Sequence, residues 1–578
     1  MEQTTIVEEF FKVAEKYPKK KALSYKKDRV YFSLSYKKLA QTVKIFAAGL
    51  QDYGFSAKDN LAIICKNSPE WAIFDLSAMA IGAVTVPLHN TLSPKIIAYV
   101  LNHSRAKTVV VGGNYFLNKI LLVQDDLKYL ESIIFVGELE KDLQDMCKKK
   151  LFFWSDVIKK GADKELKSAS TLGDDVCSII YTSGTTGLPK GVCLTHRNFL
   201  SDIEAITKAV PTRTSDIFLS FLPLSHVLER TAGYYVPLLT GCQIVYAQSV
   251  KALPWNLQEV KPTVLICVPR VLEKFHENIY EKIKAGSKWK RALFFYALKQ
   301  DIGSWRHQLL DEIIFKKIRK KLGGHLRLLI SGGASLNPSL AKFFKKIGLL
   351  ILEGYGLTET APVVAVNSPD NYKFGTVGRP LDGVELAVDR EREILIRGAM
   401  VMLGYYLDKK QTAAAIDQEG WFHTGDIGFI DPEKFVTIIG RKKEMMVTSG
   451  GKNIWPEPLE QELNADKYIS QSAVIAHKRK FVSALIIPAW NEINNYLSER
   501  GLKLKEPIEL VDSPEIAGLL SQRLSTINDN LPEHEQIKKF CLLPNEFSEV
   551  RDELTPTLKL RRHIIDENYR REIEAMYR

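Results

Sequence analysis

Three successive patterns along the 578 residues predict an α/β fold: a large multi-layered N-terminal domain, with α/β layers plus a β-rich subdomain, and a smaller, mobile α+β C-terminal domain. To about residue 370, stretches of helical period alternate with short β-branched runs. From Gly375 to Gly440 short strands and tight turns take over, and beyond Arg441 charged helices mix with strands into a polar tail. The expected domains are 1–439, with 375–439 as the β-rich part, and 440–578.

Each element has its own signal. Glu70 to Ala80 keeps helical spacing and is followed by the strand-like Ala83-Val84-Thr85-Val86-Pro87-Leu88. Repetition of that unit argues for largely parallel strands. The apolar run Val176 to Ile180 leads into a loop rich in Gly and hydroxyls, and Val192 to Leu194 then reads as a strand, so the loop joins two strands. Thr231 to Val250 carries no charge and reaches the length of a membrane span, but Gly233, Pro237, Gly241, Gln243 and Gln248 interrupt it. It reads as helix, turn and strand. Val384 to Val388, the turn Asp389 to Arg392, and Glu393 to Arg397 read as a hairpin. No internal repeat or low-complexity tract is present.

With 45% hydrophobic and 26% charged residues, the composition is globular and excludes disordered and collagen-like classes. The seven cysteines are scattered, mostly within apolar runs, without a CxxC pair; reduced thiols of a cytoplasmic protein are expected. The first nine residues carry acids where a secretion signal carries bases, so export is not expected. A formal charge of +12 allows nucleotides, coenzyme A phosphates, an anionic membrane or nucleic acid as partners. Two basic stretches, Lys282 to Arg291 and Phe315 to Lys321, are either solvated helical faces or surfaces that rest on an anionic membrane.

The most informative segment is Tyr181-Thr182-Ser183-Gly184-Thr185-Thr186-Gly187-Leu188-Pro189-Lys190-Gly191. Its backbone N–H groups and hydroxyls offer donors to oxyanions, and Lys190 adds a cation, so it suits phosphates. It is not a Walker loop, because Lys190 follows Pro189 and precedes Gly191.

The segment closely resembles the signature of the adenylate-forming superfamily of acyl-CoA synthetases, luciferase-like enzymes and peptide-synthetase adenylation domains. Further matches follow in the family's order across most of the chain: Leu222 to Arg230, Ser331-Gly332-Gly333-Ala334, Gly354 to Thr360, Trp421 to Asp426, Gly440-Arg441-Lys442-Lys443 and Leu554 to Lys559. The resemblance implies that Thr182, Ser183, Gly184, Thr185, Thr186, Gly187 and Lys190 hold the β- and γ-phosphates of ATP. It assigns magnesium to Glu359, the α-phosphate to the Thr358 hydroxyl, and the adenine to Tyr355, Gly356 and the backbone of Gly333 and Ala334. Asp426 and Arg441 would contact the ribose, and His226 would position the carboxylate or adenylate. Lys559 would bridge carboxylate and α-phosphate while charge develops between them. The family reorients its C-terminal module for the thioester step, pivoting near Gly440, and Gly450 and Gly451 resemble the lining of the pantetheine channel.

The subgroup is read from His226 to Arg230, Glu535 to Phe540 and Leu554 to Arg562, which look like long-chain fatty-acid–CoA ligases. A fatty acid, ATP and coenzyme A are the expected partners, with magnesium as cofactor and no nucleic acid. A peptide-synthetase module is disfavoured, because no carrier-domain motif follows Arg562 within the sequence. Two alternatives stand beside this reading: an adenylate-forming enzyme with another acid or acceptor, and a non-catalytic peripheral membrane protein. The second would show a degraded Lys559, Glu359 or phosphate loop, and none is degraded.

Overall fold

A computed structural model describes the chain apart from residues 1–3, 168, 183–187, 503–505, 549 and 555–559. The chain forms two compact units. The first takes the chain to Ala387 together with Leu395–His423 and Asp431–Val436; the second takes Val388–Ile394, Thr424–Ile430 and Thr437–Arg578.

Two large sheets build the first unit. One has eight strands in the order Gly404–Tyr405, Lys190–Thr195, Val176–Thr182, Val84–Pro87, Asn60–Ile64, Thr108–Gly112, Ser132–Val136 and Lys150–Phe153. From Val176–Thr182 onward every neighbour is parallel, whereas Lys190–Thr195 and Gly404–Tyr405 add on antiparallel. The other has nine strands, of which Ile351–Gly356, Leu328–Ser331, Val264–Cys267, Ile217–Ser220, Gln243–Tyr246 and Lys21–Lys27 run parallel in that order. Crossover helices are the expected companions of such parallel runs.

The helix Pro69–Ala80 is one of them. Ser68 caps it by accepting the Trp71 N–H, Pro69 opens it, and its residues are buried almost all round. A helix without a wet face belongs between layers. Its Asp75 is wholly buried and pairs with Arg230 of the π-helical turn Glu229–Tyr235. The Arg230 guanidinium also donates to Ser178 Oγ (2.6 Å), Thr85 Oγ1 (2.6 Å) and the Tyr235 hydroxyl (3.0 Å). One buried cation therefore ties a helix, two strands of the eight-stranded sheet and the turn that follows strand Ile217–Ser220.

The uncharged stretch from Thr231 becomes helix to Leu239, a turn through Gly241 and the strand Gln243–Tyr246. Among the described residues no helix is long and apolar enough to cross a membrane. All seven cysteines are free, and Cys177, Cys193, Cys242 and Cys267 are buried.

In the second unit Ile469–Ile475 pairs antiparallel, and Ile537–Leu542 parallel, with the central strand Val482–Pro488. Alternation puts Val474, Ala484 and Ile486 into one core with the helices Pro456–Asn464 and Pro514–Asn528. Ala473, Leu485 and Ile487 face the other way, against Ile565, Ile573 and Met576 of the last helices. Both faces of this small sheet are covered, as an α+β layer requires. Glu385–Val388, Glu393–Arg397, Phe422–Ile430 and Val436–Arg441 form a further four-stranded sheet.

Candidate active site

The candidate residues of the first unit gather where parallel strands end. Ser331 pairs with Glu353 in register, so Gly333, just past the end of its strand, and Tyr355, still within Ile351–Gly356, stand at the same end of the nine-stranded sheet. The carboxyl ends of parallel strands are where α/β proteins hold ligands. Gly333 has φ +82° and nothing but Val268 close to an added Cβ, so conformation, not space, requires glycine there. Gly356 is the reverse case: an added Cβ would stand 1.6 Å from the Pro362 carbonyl oxygen.

Beyond Gly356 the chain folds into the short turn Thr358–Thr360. The buried Thr360 hydroxyl accepts the Leu357 N–H (3.0 Å) and donates to the Pro362 carbonyl (2.7 Å), fastening the turn that presents Thr358 and Glu359. The Met402 N–H donates to the Glu359 carbonyl (2.8 Å), and the Tyr405 hydroxyl donates to Glu359 Oε1 (2.9 Å).

Tyr405 is the joint of the site. Its strand pairs with Lys190–Thr195, Tyr405 opposite Val192, and the Lys190 ammonium lies over its ring, 4.8 Å from the centroid. One tyrosine thus brings the predicted phosphate cation and the predicted metal carboxylate together. Thr182 lies opposite Lys190 at the mouth of the hairpin. The predicted phosphate residues Ser183, Gly184, Thr185, Thr186 and Gly187 lie outside the described residues. Sequence reasoning missed Tyr405, whose only signal is a Gly-Tyr-Tyr run within the β-rich stretch.

His226 is half-buried, with Nδ1 accepting the Leu228 N–H at 3.4 Å. Leu228 packs on Gly332, where an added Cβ would come within 3.3 Å of its Cδ2, so the histidine segment lies beside Gly333-Ala334. Asn67, also missed, pins the approach to His226: its amide donates to the Leu222 carbonyl (2.7 Å) and accepts the Leu224 N–H (3.2 Å). Glu229 is wholly buried, and neither carboxyl oxygen reaches hydrogen-bonding geometry with a donor among the described residues. Burial pushes its pKa up to about 8, the nearby Ser220 hydroxyl offsetting little.

In the second unit Asp426, almost buried, pairs with Arg441 Nε at 2.9 Å. Thr424 Oγ1 accepts the Asp426 N–H (2.9 Å) and donates to the Ile394 carbonyl (2.7 Å), which sets the strand at that point. Lys442 reaches Glu391 (2.5 Å) and Glu393 (3.1 Å), and Glu391 and then Glu393 hold its pKa well above the usual lysine range. Gly440, the expected pivot, is buried within Val436–Arg441, and Trp455 stands 3.4 Å from where its Cβ would be.

Gly450 and Gly451 turn the hairpin between Met446–Val447 and Asn453–Ile454, with Gly451 at φ +73° and open space around it. Lys559 lies outside the described residues. On either side of 555–559, Leu554 bridges to Leu560, and the Arg561 N–H donates to the Glu553 carbonyl (2.7 Å). Arg562 grips Glu460 with both guanidinium arms at 2.7 and 2.9 Å; burial opposes the arginine charge and Glu460 more than offsets it.

No group of three or more metal-ligating side chains occurs among the described residues. A single carboxylate, Glu359, near the cation predicted for phosphate, Lys190, suits magnesium, which is commonly held by one or two carboxylates together with nucleotide oxygens.

Residues 10–406 match the model described as AMP-binding enzyme, and residues 443–578 match the AMP-binding enzyme C-terminal domain. The chain is 32% identical over 576 residues to the Mycobacterium bovis long-chain-fatty-acid–CoA ligase FadD15, covering 95% of this chain and 93% of that one. It is 29% identical to the chloroplastic long-chain-fatty-acid–[acyl-carrier-protein] ligase AEE15 of Arabidopsis thaliana, over 98% of this chain and 85% of that one. Among solved structures it resembles in fold the anthranilate CoA ligase AuaEII in complex with anthranoyl-AMP, with TM-score 0.77, 19% identity and 99% of both chains covered.

Proposed function

Because the chain belongs to the AMP-binding enzyme family, we propose that it is an ATP-dependent long-chain fatty-acid–CoA ligase working in the cytoplasm. The observation that carries the reading is the meeting of Lys190 and Glu359 on Tyr405. A triphosphate with its metal needs one cation and one carboxylate within reach of the same oxygens.

In the first step a carboxylate oxygen of the fatty acid bonds to the α-phosphorus while the bond to the pyrophosphate oxygen breaks, and pyrophosphate leaves with the electron pair. Lys190, Thr182 and residues 183–187 bind the outgoing phosphates, and the Thr358 hydroxyl donates to the α-phosphate. Glu359 would hold magnesium, which when bound offsets phosphate charge. Tyr355, with Gly333, Ala334 and Gly356, receives the adenine. Asp426 accepts from the ribose hydroxyls, with Arg441 beside it. His226 orients the carboxylate, and the Lys559 ammonium lies against the charge that gathers between the reacting groups. In the second step the coenzyme A thiol loses its proton, its sulfur bonds to the acyl carbon, and AMP leaves with the electrons of the broken C–O bond. Gly450 and Gly451 give the pantetheine arm a backbone without side chains.

A second reading, in which the acceptor thiol belongs to an acyl carrier protein, is favoured by the similarity to the plant carrier-protein ligase. The deciding experiment supplies a panel of carboxylic acids with magnesium and ATP, then adds coenzyme A or an acyl carrier protein, and measures pyrophosphate, AMP and the thioester. Pyrophosphate with a long-chain acid, and AMP with acyl-CoA, are expected. Release of ADP and orthophosphate, or preference for benzoate-like acids, would sink the proposal.

A further inference from the structure

From Lys282 to Lys321 the chain carries twelve Lys and Arg against three acids, Asp301, Asp311 and Glu312, an excess of nine where the whole chain has twelve. Two of those acids are answered locally: Asp311 pairs with Arg319 at 2.5 Å and Glu312 with Lys316 at 2.7 Å. The segment forms the helix Lys288–Lys299 and the continuous helical run Trp305–Leu310, Asp311–Phe315 and Lys316–Lys321.

The inward faces are ordinary core. Phe294, Ala297, Leu310 and Phe315 are buried in the cluster that contains Leu272 and Leu340. The outward faces are not ordinary surface. Trp289 and Trp305 are 63% and 69% exposed, and Tyr296, Ile302, Leu309 and Ile313 are exposed with them. Trp305, Leu309 and Ile313 follow one another at four-residue steps, and Tyr296 lies seven residues after Trp289, so each helix carries its apolar groups as one stripe. The third exposed tryptophan among the described residues, Trp255, stands on the helix Leu253–Val260, which packs against Lys316–Lys321. A cation attends each stripe: Lys290 lies 5.5 Å from the Trp289 ring and Arg306 lies 5.3 Å from the Trp305 ring.

We propose that this face docks the protein on an anionic lipid bilayer, the Trp289 and Trp305 stripes entering the headgroup layer and the surrounding lysines and arginines meeting lipid phosphates. Tryptophan and tyrosine favour the membrane interface, and clustered cations are drawn to anionic lipid. Nucleic acid accounts less well for the surface, because Ile302, Leu309 and Ile313 have no use on a phosphate backbone. Docking and the proposed activity are independent, so either can fail while the other stands.

The test uses the full chain and sedimentation with phosphatidylcholine vesicles that contain or lack phosphatidylglycerol. Binding to the anionic vesicles alone, release by high salt, and a blue shift of tryptophan emission on binding are expected. Replacing Lys288, Lys290 and Arg291 by Gln should lower the partition about a hundredfold, at roughly fivefold per cation near an anionic surface. A second variant, Trp289→Ser with Trp305→Ser, should lose the blue shift. Both alter exposed residues, and unchanged melting with unchanged pyrophosphate release from a water-soluble short-chain acid reports an intact fold. Equal binding to neutral and anionic vesicles, wild-type binding by the triple variant, or preference for a DNA duplex over anionic vesicles would each overturn the proposal.

Discussion

Tyr405 lends its ring to Lys190 and its hydroxyl to Glu359, and Tyr405→Phe separates the two. The variant keeps the ring and loses one hydrogen bond to a carboxylate, roughly 1.5 kcal/mol or about tenfold in rate. The expected outcome is a raised magnesium requirement for pyrophosphate release with nearly unchanged melting; an unchanged magnesium titration would remove Tyr405 from the site. Asp426→Ala removes a nearly buried carboxylate that, in the proposed ribose role, would sit away from the reacting phosphorus, so ATP binding should weaken by roughly 1.5–3 kcal/mol while the rate at saturating ATP changes less. Titration calorimetry with ATP decides it, and wild-type affinity would refute the ribose role. Lys190 and Glu359 are legible in the sequence because each stands in a run whose glycines and hydroxyls suit phosphate. Tyr405 is not, being one of 22 tyrosines with its partner 46 residues upstream. Asn67 is hidden for the same reason: side chains that position others act across space and leave no local pattern.

The strand Ile351–Gly356 and the turn after it depend on Gly356 in a way that the sheet end at Gly333 does not. Gly333→Ala meets open space and should cost about 1–2 kcal/mol of conformational strain. Gly356→Ala drives a methyl into the Pro362 carbonyl, so the turn carrying Thr358 and Glu359 must shift. Pyrophosphate release should fall far more than with Gly333→Ala; equal loss would contradict the contact.

The turn Glu229–Tyr235 gives a pH dependence with a definite sign. Unfolded, Glu229 ionises near its usual 4.5; folded, burial holds the proton until about 8. Between those values the folded protein binds the extra proton, so this group's contribution falls as pH rises, by up to about 1.4 kcal/mol per pH unit, and levels off above 8. Glu229→Gln cannot ionise, so its melting temperature relative to wild type should climb from pH 5 to pH 8; a constant difference would show that Glu229 is charged when folded. Helices and strands such as Pro69–Ala80 and Val84–Pro87 are legible from spacing, because burial on one face or all faces writes itself into the order of residues. Strand order is not legible: Lys21–Lys27, near the start of the chain, joins Gln243–Tyr246 through a pairing that local sequence does not encode.

The proposed role of Lys559 belongs to the whole molecule, since its ammonium would serve one half-reaction and not the other. Lys559→Ala should slow adenylate formation on the order of 10²-fold or more, by analogy with the loss of other preorganised charge-stabilising donors. Prepared acyl-AMP with coenzyme A should still be converted near the wild-type rate. Equal loss in both steps, on protein with unchanged melting, would make the residue structural. The small unit anchors the flanks of this segment through Glu553 and the Arg562–Glu460 pair. In the large unit, Arg230 is held from Asp75, Thr85, Ser178 and Tyr235. Its charge finds no water until every one of those partners gives way, and Asp75 is then stranded too. The eight-stranded sheet and the turn beside the nine-stranded one are thereby bound to a common fate on heating: they should melt in a single calorimetric step, with no lasting half-unfolded form to expose bare strand edges to other chains.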